Sequence, residues 1–249
     1  MNKAKLLHWF VLLTSITQIV SPLLSSFSGN DNQRKDALIT PAGYTFAIWG
    51  VITLLSLIYG IFQIFPNQKN EQLHLKIAPR LIATYLFFSL WLFSAQGYWL
   101  VATVIIFVAM FLNLRIVFES ILQQKGKLSS MEKVILEGQI GLYFGWSSIA
   151  IFANIAAALK FYGLSDLGIS GTIWQSLILC CGLANTIYCL HKTKANYFYG
   201  GTIIWAFVGI FFGLRGESDT VFLQIVTISA LCAFLSFFYK FNKSKVVTV

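Results

Sequence analysis

Tyr143, Trp146, Ser147, Ala150 and Asn154 share one stretch of the sequence. Wound at about 100° per residue, they fall within an arc of roughly 100° on a single helical face. A face of aromatic rings carrying a hydroxyl and an amide is suited to non-covalent recognition. Rings stack on flat apolar molecules, and a few hydrogen-bonding groups fix their orientation. Phe46, Trp49, Gly50, Thr53, Ser56 and Gly60 form a second such face, in an arc of roughly 120°, and Tyr85 and Trp91 add further rings. Packing offers another account of the same residues. Trp and Tyr anchor helices at membrane interfaces, and small residues mark helix contacts. Trp9 and Trp99, near helix ends, fit the anchor account. Trp146 and Asn154, deeper and aligned with Tyr143, fit a pocket wall or a packed helix interface equally, since a buried Asn needs a partner from either source.

Covalent chemistry finds less support. Each Asp, Glu, Lys and Arg falls in a connection or within about a turn of a helix end, with Arg115, Glu119 and Glu137 nearest the interior. Ion-coupled transporters and proton relays usually hold an ionisable residue inside the membrane. A hydrolase needs a nucleophile with its base, paired carboxylates or metal ligands, and no such set can be assembled. Cys180, Cys181, Cys189 and Cys232 lie in apolar runs without CxxC spacing, and His8, His74 and His191 are scattered. Neither a disulfide framework nor a metal site is expected, and no enzyme.

These side chains must be positioned by membrane helices. The 249 residues are 57% hydrophobic and only 11% charged, against roughly 25% charged in soluble domains. The fold expected is an all-α polytopic membrane bundle. The net charge of +9 is spread over short connections rather than gathered on one patch, so it sets topology and does not call for nucleic acid.

The first face belongs to Glu137–Lys160, with about the ~20 apolar residues of one crossing. Its opposite face gathers Gly138, Gly141, Gly145, Phe152 and Ala156, small enough for another helix to approach closely. A later helix, the sixth or seventh, is expected to cross there near Gly141 or Gly145.

Eight apolar segments are drawn. The first runs from about Leu6 to Phe27 and reads as a retained helix, because no A-x-A-type cleavage site follows it. After the polar connection Ser28–Thr40 comes Pro41–Phe65, with Thr40 as N-cap and Pro41 at the first helical position. Leu81–Phe118 is too long for one crossing, and Gln96-Gly97 divides it into two helices. Glu137–Lys160 is the fifth. The last three run from about Thr172 to Leu190, Tyr197 to Leu214 and Thr220 to Tyr239. Alternating sides places only Arg34, Lys35, Lys160 and Arg215 of the 18 lysines and arginines opposite the termini. That bias puts both termini in the cytoplasm.

The residues of two of these segments resemble a known family. Tyr143, Trp146, Ala150 and Asn154 match the fifth-helix pattern PYLxWxxFAxxLN of the TspO family, the tryptophan-rich sensory proteins related to the mitochondrial translocator protein. Leu142 stands at the pattern's proline. Pro41, Ala42, Gly43, Tyr44, Thr45 and Phe46 resemble the second-helix start PPGWxF, with Tyr for Trp, followed by Trp49 one place early. Of the LNxxW of helix three only Trp91 remains, with Phe88 at the Asn position. The resemblance covers about residues 1–160, and the last three helices have no counterpart in five-helix members.

It implies a five-helix bundle over 1–163 that binds porphyrins or other flat apolar ligands in an aromatic intramembrane pocket closed by the first loop. Residues 164–249 would be a three-helix membrane extension. The candidate ligand-binding residues are Pro41, Gly43, Tyr44, Phe46, Trp49, Trp91, Tyr143, Trp146, Ser147, Ala150 and Asn154, with Trp205 expected to lie outside the pocket. No resident cofactor is called for; a porphyrin would enter as ligand. The expected partners are the lipid bilayer, an apolar small molecule and, in a homodimer, a second copy. A bacterial inner membrane is the expected location. A small-molecule facilitator or permease is the alternative function.

Overall fold

The computed structural model describes residues 3–25, 37–65, 70–165, 168–214 and 220–247. Among the described residues the regular structure is all-helical, as expected. The eight principal helices are α1 (Lys3–Leu24), α2 (Ile48–Phe62), α3 (Glu71–Gln96), α4 (Leu100–Gln123), α5 (Gly138–Phe161), α6 (Gly168–Lys192), α7 (Tyr197–Gly213) and α8 (Val221–Val247). Counting the helical turns that lead into α2 and α5, seven helices among the described residues are long and apolar enough to cross a membrane. The remaining one, α7, is apolar with 17 residues, roughly the short end of the spanning range.

Local chemistry explains several boundaries. Ser129 and Glu132 form a capping box ahead of α5, each satisfying a backbone donor that the first turn leaves free. Helical turns Ser130–Glu132 and Lys133–Glu137 then lead into α5, the latter wound as a π-helix. Asn196 caps α7 by accepting from the Tyr199 N–H. The hairpin between α3 and α4 lies where Gln96-Gly97 predicts it. The left-handed residue there is Tyr98, at φ 58°, while Gly97 has φ −78°.

Packing groups the chain into two compact units. The first is Met1–Phe27 with Ile48–Phe144, and the second is Ser28–Ala47 with Gly145–Val249. In the first, α3 packs on α1 and α4, and α1 on α2. Gly60 admits α1 closely: a Cβ there would stand 2.9 Å from the Ser15 hydroxyl and 3.1 Å from the Leu12 Cα. In the second, α8 packs on α6 and α7, and Gly200 accommodates the Phe238 ring.

The glycine face of α5 is used as its composition suggests. A Cβ on Gly145 would lie 2.8 Å from the Thr202 Cβ and 3.0 Å from the Tyr199 carbonyl. α7, the seventh helix, therefore crosses there at backbone distance.

The start of helix two departs from expectation. Thr40 and Pro41 precede the helix, Gly43–Ala47 is a 3-10 turn, and the α-helix begins at Ile48. Pro41 is a good first helical residue taken alone, but a tertiary contact overrides it. The Ala42 N–H donates to the Gly209 carbonyl at 2.9 Å. A Cβ on Gly213 would stand 2.7 Å from the Thr40 oxygen and 3.0 Å from the Ala42 nitrogen. At the other end of this strap, the Ile39 N–H donates to the buried Gln175 Oε1 of α6 at 3.1 Å. Of the polar connection Ser28–Thr40, residues 28–36 lie outside the described residues.

Candidate functional site

The first unit brings Trp49, Trp91 and Tyr143 together. Trp49 meets the Tyr143 ring edge-on, with centroids 5.5 Å apart and planes at 86°. It lies 5.7 Å from Trp91 and 4.7 Å from Phe88. Phe107 completes the group, edge-on to Trp91 at 5.1 Å. All five are buried. Phe88 stands where the family pattern has Asn, so an amide is replaced by a ring seated on Trp49. Phe107 has no sequence motif to mark it; a lone ring within the aliphatic run of α4 is its only signal.

Tyr143 also joins these rings to a polar seam. Its hydroxyl accepts from Gln18 Nε2 at 2.9 Å. One turn earlier on α5, Gln139 donates to Ser56 Oγ at 3.1 Å and to the Tyr85 hydroxyl. Gln18 and Gln139 are fully buried. Neither belongs to a sequence motif, although an amide within an apolar run, or four residues before Tyr143 on one helical face, is a readable sign.

The second unit holds the other candidates. Phe46 meets Trp146 edge-on, at 5.7 Å and 78°. Tyr44, half exposed, meets Trp205 at 5.7 Å and 80°. Trp205 is therefore the neighbour of a candidate residue, because α7 holds the strap that carries Tyr44. Pro41 is buried and Gly43 exposed. Ala150 and Ser147 are buried, and the Ser147 hydroxyl has no hydrogen-bond partner among the described residues. Asn154 is half-buried and donates to the Ala150 carbonyl one turn back at 2.9 Å, so its own helix meets part of its demand. Trp9 and Trp99 are exposed, as anchors should be.

One histidine proves far from isolated. His74 Nδ1 is 2.9 Å from the Tyr59 hydroxyl, and its Nε2 is 3.5 Å from Glu132 Oε1. Asn70 donates to both Glu132 oxygens at 3.0 Å, and the Ser129 N–H donates to Oε2 at 2.8 Å. Glu132 sits near a helix start, as expected of the acidic residues, yet its side chain is only 3% exposed. Among the described residues no group of three His, Cys, Asp or Glu side chains could hold a metal ion.

A model of the TSPO-like protein family matches residues 6–239. The chain belongs to this family. The match corrects the extent of the resemblance: it runs through α6, α7 and α8 instead of stopping near residue 160. Among curated proteins and among solved structures, no match was found. The TSPO-like chain is an integral membrane protein by its helices and its family.

Proposed function

We propose that this TSPO-like protein is a non-catalytic, ligand-binding sensory protein that takes up a flat apolar molecule such as a porphyrin. The observation that carries the reading is the convergence of Trp49, Trp91 and Tyr143 with Phe88 and Phe107 in the first unit. Stacked and edge-on rings supply large apolar area with defined geometry. The rings touch one another, so a ligand has to part them, and that cost lowers the apparent affinity in proportion to the open fraction. Phe46 and Trp146 form a smaller aromatic contact in the second unit, available to the same chemistry. A bacterial inner membrane with both termini in the cytoplasm fits the lysine and arginine bias.

Protoporphyrin titrated against the purified protein in nanodiscs, followed by tryptophan quenching, tests the proposal. Loss of a stacking ring should cost on the order of 1–2 kcal/mol, about tenfold in affinity. Trp49→Ala and Trp91→Ala should weaken binding by that amount, and Trp99→Ala should leave it unchanged. Equal affinity in all three variants would remove the site from the Trp49 cluster. Saturable flux of the ligand across vesicles would replace binding by facilitated passage.

A further inference from the structure

The polar seam beside the aromatic cluster specifies the end of the ligand that enters it. Ser56 Oγ donates to the Ile52 carbonyl at 2.9 Å, which commits its one hydrogen. Toward Gln139 it can therefore only accept. The end of the Gln139 amide facing Ser56 and Tyr85 is then the NH2, which donates to both hydroxyls. The carbonyl Oε1 of Gln139 points away from these two hydroxyls. It is fully buried and has no hydrogen-bond partner among the described residues; Gln18 Oε1 is in the same condition. A buried amide oxygen left unpaired is costly, and the cost disappears when a donor is brought to it.

The contacts around these amides come from Ser56, Tyr85 and Tyr143, and no carboxylate, ammonium or guanidinium is bonded to them among the described residues. An anionic group placed here would be desolvated without a bonded counter-charge and would face the Gln139 carbonyl oxygen, an unfavourable arrangement. We infer that Gln139 accepts a hydrogen bond from a neutral hydroxyl or N–H group of the ligand, so that the bound molecule is a flat apolar amphiphile inserted by an uncharged donor end. Tyr143 links the two halves of this site: its ring is edge-on to Trp49 and its hydroxyl is bonded to Gln18. The inference rests on the proposed aromatic site. An acidic porphyrin would have to keep its carboxylates away from the seam.

Three pyrene probes separate the possibilities: 1-pyrenemethanol, its methyl ether and 1-pyrenecarboxylate. Each carries the same flat apolar body, and each accepts energy from excited tryptophan, so saturable transfer in nanodiscs reads affinity. The alcohol should bind about tenfold or more tightly than either the ether or the carboxylate, the worth of one buried hydrogen bond left unmade. In Gln139→Met the alcohol-to-ether ratio should fall to about one. Equal affinity for alcohol and ether in the unaltered protein overturns the donor inference while leaving the aromatic site standing, and it does so without any variant. A preference that survives in Gln139→Met also overturns it. Saturable binding of none of the three probes overturns the proposed site itself.

Discussion

Trp205 donates its indole N–H to the Thr45 carbonyl at 2.9 Å. An aromatic residue of α7 thereby ties down the 3-10 turn that precedes α2, and the Tyr44 ring leans edge-on against the same indole. Thr45 is fully buried and packs directly on Gly209 one turn further along α7. The last helices of this TSPO-like chain thus hold part of the segment that carries the second-helix motif.

The first prediction concerns that strap. Gly213→Ala would place a methyl group 2.7 Å from the Thr40 oxygen, and backbone cannot yield as a flexible side chain does. We expect a loss of about 1–3 kcal/mol, typical of overpacking, read as a lower melting temperature in detergent. Gly201, in the same helix, has nothing within 4 Å of its added Cβ. Gly201→Ala should stabilise slightly, by up to about 1 kcal/mol, because alanine favours the helix. Equal melting temperatures for the two variants would mean that the strap is not held against α7.

Gly145→Ala should also destabilise, since its methyl would press on the Thr202 Cβ and the Tyr199 carbonyl. Thr202→Gly removes the first of these obstructions. In a double-mutant cycle the pair should recover part of the loss, with a coupling of roughly 0.5–3 kcal/mol. Strict additivity would show that the two residues do not touch.

The buried His74 network gives a third expectation. Tyr59→Phe deletes the hydroxyl bonded to His74 Nδ1 and should cost about 1–3 kcal/mol, because a fully buried polar atom is left without its partner. Glu132→Gln should be costly as well, since His74, Asn70 and Ser129 all converge on that carboxylate. Chemical denaturation of the variants measures both losses. Changes below about 0.5 kcal/mol, the range of ordinary surface substitutions, would make the network incidental.

Topology is testable in intact cells. After replacement of the four native cysteines, Lys127→Cys and Lys243→Cys should resist an impermeant thiol reagent, while Asn32→Cys should react. The opposite pattern would refute the cytoplasmic placement of the termini that the charge bias supports.

The eight helices were legible because membrane spans announce themselves through long apolar runs, and the α3–α4 hairpin because Gln96-Gly97 interrupts one of them. The close approach to Gly145 could be foreseen from the small-residue face of α5, and Trp49, Trp91 and Tyr143 from their rings. What escaped depended on partners distant in sequence. Pro41 looks like a helix start until the Gly209 carbonyl competes for the Ala42 N–H. His74 and Glu132 look unremarkable until α3 and the approach to α5 bring them together. Gln139 is an ordinary helix residue until Ser56 spends its only hydrogen on Ile52 and so fixes which way the amide must point.

Gly209 and Gly213 are spaced as in the GxxxG motif through which many single membrane helices pair with a copy of themselves. Here that notch is filled from within, by Thr40, Ala42 and Thr45 of the same polypeptide. A second molecule approaching this notch would find no vacancy for its own backbone. Self-association through this notch is closed off, and substituting these glycines would unsettle the fold itself.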